Sequence, residues 1–294
     1  MIHETISLTV PGADGPAELI AYAPENLPAL GEDRLRSALI ICPGGGYHCL
    51  SDREGEPVAL RFAGLGFAAF ILKYHTAPQA RWPVPQRQLL AAIAYVRDHW
   101  RRYNVDPHAV VVMGFSAGGH LAGSAGLMWN KQEIYRPLRR RPSVFRPDGV
   151  VLCYPVVTGG ASAHRGSMEN LLGERHDELL ELVSLENRVT RQAPPFFLWH
   201  TADDTCVPVE NSLLLDKALR AKGVESELHV YPHGSHGQSL ADHTVFAPGQ
   251  DWVISAPCAV WVTHCTAWLH RHFGAYALAP HPDERQRPAK KKKK

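Results

Sequence analysis

Three short segments of this chain carry residue types that together can run acyl transfer from a serine. Gly114-Phe-Ser-Ala-Gly118 has the pattern G-x-S-x-G. It follows an apolar run and opens a helical pattern, the setting in which such a serine sits on a tight strand-to-helix turn with its hydroxyl above the sheet edge. The glycines two residues to either side let neighbouring backbone approach, and a helix N-terminus favours negative charge developing there. Ser116 is therefore the candidate nucleophile, against the plainer role of a turn serine. Its hydroxyl needs a base within about 3 Å. The loop Pro232-His-Gly-Ser-His-Gly237 offers His233 and His236. The base needs an acid behind it to fix its tautomer. His200-Thr-Ala-Asp-Asp-Thr-Cys-Val-Pro208 offers Asp203 and Asp204. Residue types alone do not choose within either pair, and the unused aspartate is expected to cap its own loop.

A fourth segment complements these. Pro43-Gly-Gly-Gly-Tyr47 ends an apolar run, and a glycine run there can aim backbone N–H groups at an oxyanion. Gly45 and Gly46 are the expected donors, joined by the N–H of Ala117; a register one residue nearer Gly44 is the alternative. The segment lacks the Lys-Ser/Thr pair of a phosphate-binding P-loop. His120, just inside the helix after Ser116, is expected to pack against the sheet. His200 ends a strand and reads as structural.

These segments meet only if a sheet brings their loops to one edge. Uninterrupted apolar runs cover 38–42, 67–72, 109–113, 149–153 and 196–199, most of them bounded by Gly or Pro, and read as strands buried on both faces. A run at 227–231 alternates and belongs nearer a sheet edge. Helical patterns fall at 86–102, 117–128, 209–222 and 257–273. Residues 5–10 and 19–22 read as an antiparallel start. The expected fold class is α/β: a mostly parallel sheet of eight strands with helices on both faces. Right-handed crossovers put the strand C-termini along one edge, where ligands bind. One domain is expected over 1–279. Residues 129–148 read as an irregular Arg/Pro-rich insertion. The polar stretch 158–192 is too long for a plain loop and reads as a small cap over the active edge. Residues 280–294, ending in five lysines, are expected to be disordered.

Composition narrows the class. Of 294 residues 45% are hydrophobic and 20% charged, enough for a sizeable core. A net charge of +2 argues against a molecule built to bind nucleic acid. No stretch reaches the ~18 uninterrupted apolar residues of a membrane span, so no membrane partner is expected. The first ten residues hold neither a basic region nor an apolar stretch, so no secretory signal is expected. The six cysteines form no CxxC pair and read as reduced thiols, without a disulfide framework or zinc site. A cytoplasmic protein is expected.

At this point the chain resembles the α/β-hydrolase superfamily, in the acetyl-esterase/lipase branch that includes hormone-sensitive-lipase-like and acetylxylan-esterase-like enzymes. The residues that carry the resemblance are Cys42-Pro-Gly-Gly-Gly-Tyr47, Ser51-Asp-Arg-Glu54, Gly114-Phe-Ser-Ala-Gly-Gly-His120, the segment 200–208 and His233-Gly-Ser-His-Gly237. They span residues 42–237. In similar enzymes the acid is the fifth residue of H-[GT]-x-x-D-x-x-V-P and the base is the histidine of a final H-G-x-H-G. The resemblance thus implies Asp204 and His236, and an ester hydrolase needing no metal or organic cofactor. Ala163-His-Arg-Gly-Ser167 with Asn170-Leu-Leu-Gly173 resembles the cap of bacterial members described as acetyl esterases of plant polysaccharide breakdown. A short acyl group on a carbohydrate or small-molecule ester is the implied substrate. Tyr47, His164 and Arg165, with Trp82, are the candidate contacts to a sugar alcohol, each with packing or plain surface as the blander role. Pro43 stands where the hormone-sensitive-lipase pattern has histidine, so that branch's substrates are not implied. The same residues would serve an arylformamidase-like amidase or a serine peptidase. A non-catalytic binding protein on this fold, or polyanion binding through Arg139–Arg141 and Lys290–Lys294, are the readings from other classes.

Overall fold

The computed structural model describes residues 1–249, 256–274 and 277–278. The expected tail at 280–294 lies outside the described residues. The chain begins with two antiparallel strands, β1 (Ile2–Leu8) and β2 (Ala17–Ala23). Then come β3 (Arg34–Cys42), β4 (Ala68–Lys73), β5 (Val105–Phe115), β6 (Gly149–Cys153), β7 (Phe196–Thr201) and β8 (Ser226–Tyr231). Their spatial order is β1-β2-β4-β3-β5-β6-β7-β8. β2 pairs antiparallel with β4, and every later neighbour is parallel. A two-residue strand, β9 (Ala277–Leu278), adds antiparallel pairing to Arg34 and Leu35, too short to show in the sequence pattern.

The helices are α1 (Glu56–Gly64), α2 (Val84–Asp98), α3 (Ser116–Met128), α4 (Gln132–Tyr135), α5 (Arg165–Leu172), α6 (His176–Val183), α7 (Glu210–Ala221), α8 (Ala256–Ala259) and α9 (Trp261–Phe273). The strand runs are apolar at every position because both faces are covered. Side chains alternate between faces. Ile40, Val112, Leu152 and Leu198 enter one core with Leu89 and Ile93 of α2, Leu121 of α3 and Leu215 of α7. Ile41, Val111, Val151 and Phe197 enter the other with Phe62 of α1 and Trp261, Cys265 and Trp268 of α9. β8 and β1 are the two edges of this sheet, and β8 is mostly half-buried along its length.

Four expectations shift. β5 begins at Val105 because residues that read as a turn, Asp106-Pro107, follow a Val105 pairing with Arg36 across a register irregularity. α2 stops at Asp98, and Trp100 packs partly buried beyond its end. The polar stretch 158–192 holds α5 and α6. Their buried residues Met168, Leu171, Leu179 and Val183 are too few to stand out against the polar outer face. The insertion at 129–148 holds α4 and short 3-10 turns.

His120 ties α3 to this region. Its Nε2–H donates to the Val183 carbonyl at 2.9 Å, so Nδ1 accepts from the Tyr47 hydroxyl at 2.8 Å. Burial pushes His120 down from 6.5 to about 4. The unfolded chain therefore binds the proton first, and the stability tied to neutral His120 is present at neutral pH and lost as pH falls through that window. The urea midpoint is expected to drop between pH 6.5 and 4, and His120→Asn should flatten that drop; an unchanged slope in the variant would contradict the assignment.

Candidate active site

β5 runs straight into α3, with Phe115 ending one and Ser116 starting the other. Ser116 takes φ 52°, a left-handed conformation that costs a non-glycine residue about 1–3 kcal/mol. The turn closes tightly around it. A Cβ at Gly118 would lie 2.1 Å from the Cys42 carbonyl oxygen, and one at Gly114 2.0 Å from the Gly118 oxygen. Neither position has room for a side chain. The Ser116 carbonyl accepts the Val156 N–H at 3.0 Å, which fixes the turn against the loop after β6.

The loops after β7 and β8 converge on this serine. Ser116 Oγ and His236 Nε2 are 2.7 Å apart, and His236 Nδ1 lies 2.7 Å from Asp204 Oδ2. With the carboxylate accepting from Nδ1–H, the neutral ring leaves Nε2 free to accept the serine proton. Asp204 is buried. Its other oxygen accepts the N–H groups of Cys206 and Val207, both at 2.9 Å. His200 Nε2–H, which donates to the Val207 carbonyl at 2.8 Å, stands 3.4 Å from Asp204 Oδ2. Burial alone would raise the Asp204 carboxyl; hydrogen bonds from His200, His236 and the Val207 N–H outweigh it and hold the group below the ordinary carboxylate range. The carboxylate beside the His236 ring is thus held in its charged form.

The competing pair finds each other instead. Asp203 Oδ1 accepts the Gly234 N–H at 2.7 Å and Oδ2 faces His233 Nδ1 at 3.2 Å, on an exposed surface. Asp203 caps the histidine loop from outside while Asp204 faces inward.

The glycine loop after β3 lies alongside, because Cys42 pairs with Gly114 in the sheet. The N–H of Gly44 is taken by Glu54 Oε2 at 2.7 Å. Among the described residues nothing accepts the N–H of Gly45 or Gly46. Gly45 has φ 120°, and a Cβ there would meet the Cys49 carbonyl oxygen at 2.3 Å. Ala117 sits in the first turn of α3, where backbone N–H groups lack an intrahelical acceptor. Glu54 and Tyr154 are the buried polar residues of this region to which sequence reasoning gave no role. Tyr154 donates to Glu54 Oε1 at 2.7 Å. Only the segment Ser51–Glu54 pointed toward it, without a function attached.

The candidate substrate contacts divide. α5 lies over the glycine loop, with Asn170 Nδ2 donating to the Gly46 carbonyl at 2.9 Å. His164, half-buried at its start, holds Ser167 Oγ at 2.8 Å through Nδ1. Burial, and then the charge on His236, lower its proton affinity. Arg165 is exposed. Tyr47 does not fit its expected role: its ring is buried and its hydroxyl is spent on His120, because φ 56° turns the side chain into the core. Trp82 is likewise buried, its indole donating to Glu133 at 3.2 Å. Arg140 of the basic cluster pairs with Asp98. Lys290–Lys294 lie outside the described residues. Among the described residues no group of three or more His, Cys, Asp or Glu is arranged to hold a metal ion, and no helix is long and apolar enough to cross a membrane.

A parallel sheet, a serine on a strand-to-helix turn and a histidine on the last loop define an α/β hydrolase. The BD-FAE family model matches residues 26–219, and the chain belongs to that family. It is 38% identical over 220 residues to endo-1,4-beta-xylanase B of Butyrivibrio fibrisolvens, covering 74% of this chain and 34% of that protein. It is 31% identical over 231 residues to the acetylxylan esterase of Xylanibacter ruminicola, covering 76% and 44%. The chain thus spans less than half the length of these two relatives. The structure of an acetyl ester-xyloside bifunctional hydrolase from Caldicellulosiruptor lactoaceticus superposes with a TM-score of 0.74 at 36% identity, covering 91% of this chain and 96% of that one.

Adjacent aspartates give a sharp test. Asp204→Asn is expected to lower kcat on the order of 10⁴-fold by losing the ring's tautomer. Asp203→Asn, at an exposed pair, should stay within about threefold. Equal losses in steady-state assays would contradict the assignment.

Proposed function

We propose that the protein is a serine carboxylic-ester hydrolase that removes short acyl groups, acetyl foremost, from carbohydrate or small-molecule esters. The observation that carries this reading is the unbroken hydrogen-bond chain from Ser116 through His236 to Asp204, each link 2.7 Å, beside a glycine loop with two uncommitted N–H groups. His236 takes the proton as Ser116 Oγ attacks the ester carbonyl. The N–H groups of Gly45, Gly46 and Ala117 hold the oxyanion. His236 then protonates the departing alcohol, and the same ring activates the water that releases the acid from the acyl-enzyme. Asp204 fixes the ring and stabilises the imidazolium.

The acetyl and sugar parts of the proposal draw on the names of the acetylxylan esterase and acetyl ester-xyloside hydrolase relatives. We read 158–192 as a cap, with His164 and Arg165 at the alcohol side. All six cysteines are free thiols, a state kept in reducing compartments, which supports a cytoplasmic setting. Amide or peptide hydrolysis would use the same triad, so substrate comparison decides.

The test is hydrolysis of p-nitrophenyl acetate, butyrate and octanoate, an anilide analogue and acetylated xylo-oligosaccharide, by wild type and Ser116→Ala. The expected result is turnover that falls with acyl length, extends to the sugar ester, exceeds anilide turnover and vanishes in the variant. Full activity in Ser116→Ala would overturn the triad. Rates rising with chain length, or anilide cleavage outrunning ester cleavage, would overturn the short-acyl ester assignment.

A further inference from the structure

We propose that Glu54 is a positioning residue for this hydrolysis, its two carboxylate oxygens locking the oxyanion loop and the histidine loop into one frame; the inference rests on the serine-hydrolase reading above. Glu54 is only 3% exposed. A buried carboxylate is costly unless its oxygens are hydrogen-bonded, and here each has one donor. Oε2 accepts the Gly44 N–H and Oε1 accepts the Tyr154 hydroxyl, both at 2.7 Å.

Each donor belongs to a different part of the site. Gly44 packs directly on the nucleophile turn: a Cβ there would lie 3.0 Å from Ser116 Cβ and 2.8 Å from the Phe115 oxygen. By taking the Gly44 N–H, Glu54 fixes the peptide that precedes Gly45 and Gly46. Tyr154 reaches the other side. Its oxygen accepts the Ser239 N–H at 2.8 Å, three residues beyond His236. Ser239 Oγ donates back to the Arg53 carbonyl at 2.6 Å, beside Glu54 in the chain, and its own carbonyl accepts the Trp261 indole at 2.9 Å. The circuit therefore closes through the loops after β3, β6 and β8. The Tyr154 ring also stands edge-on to the His236 ring, with centroids 5.1 Å apart at 72°. Tyr154 takes φ 38° to do this, another strained residue that the surroundings must hold.

The carboxylate also bears on His236 electrostatically. The groups facing Glu54 are Tyr154, the Gly44 N–H, His236 and Arg53, with Tyr74 and Cys153 near by. Those facing His236 are Asp204, Ser116, Glu54, His164 and Tyr154. Burial raises the Glu54 carboxyl, while Tyr154, the Gly44 N–H and His236 favour its charged form.

Glu54→Gln keeps the shape and an acceptor for the Gly44 N–H but removes the charge. Tyr154→Phe keeps the carboxylate but cuts its tie to Glu54 Oε1 and, through it, to Ser239. On p-nitrophenyl acetate, Glu54→Gln is expected to lower kcat about 10- to 100-fold with KM little changed. Tyr154→Phe should lower kcat in the same way, and the double variant should fall no further than Glu54→Gln alone. Thermal melting reports folding, and Tyr154→Phe carries the test if Glu54→Gln does not fold. Wild-type kcat in the folded variants, a loss expressed in KM alone, or a double variant that falls well below Glu54→Gln would overturn the inference while wild-type turnover and its loss in Ser116→Ala leave the hydrolase reading standing. A wild type inert towards every ester would overturn both.

Discussion

Ser116 occupies a backbone conformation that an L-residue keeps only when its surroundings force it, and those surroundings account for most of the site. The left-handed turn requires that α3 fold back against β5 at van der Waals distance, so Gly114 and Gly118 have no room for a Cβ. The same close approach presses Gly118 onto the carbonyl of Cys42, the last residue of β3. Since Cys42 is also the sheet partner of Gly114, the glycine loop has to leave the sheet beside the serine. The strain at residue 116 and the placement of the expected oxyanion donors are one geometric fact. It holds because β3 and β5 are central strands buried on both faces, where the packing of both cores resists relaxation.

Two buried carboxylates approach His236 from different sides, and their environments separate them. Asp204 is surrounded by donors: two backbone N–H groups, His200 and His236 itself. These outweigh burial and keep the group charged. The sign of the linkage follows: the stability bound up in Asp204 is present above the ordinary aspartate range and is lost as pH falls through and below it. Glu54 has two donors, and burial dominates, so its proton affinity is raised. One acid is built to stay ionised beside the His236 ring, and the other is built into the frame.

Much of this is legible in the amino-acid sequence, for definite reasons. Strands covered on both faces read as uninterrupted apolar runs, and the alternating run 227–231 falls on β8, one of the two edge strands. The turn around Ser116 is legible because sterics admit only small residues at 114 and 118. Between Asp203 and Asp204, or His233 and His236, local pattern has no preference; family spacing favours one of each, and in the structure Asp204 meets His236 while Asp203 meets His233. Glu54 escapes notice because its partners lie 10 and 100 residues away in the chain. Tyr47 misleads because an aromatic next to a glycine run suggests a ligand contact, and only the positive φ at 47 reveals that the ring faces His120. The helices α5 and α6 are hidden by short length and a polar outer face.

The account stands on Ser116 being chemically activated by the histidine that touches it. The direct measurement is covalent labelling of the folded protein with a fluorophosphonate, followed by mass spectrometry of its peptides, in wild type and in His236→Ala. A single adduct on Ser116, formed rapidly in wild type and slowed severely in His236→Ala, is the predicted result. An adduct on a different residue, no adduct at all, or labelling of Ser116 at the same rate without His236 would contradict it.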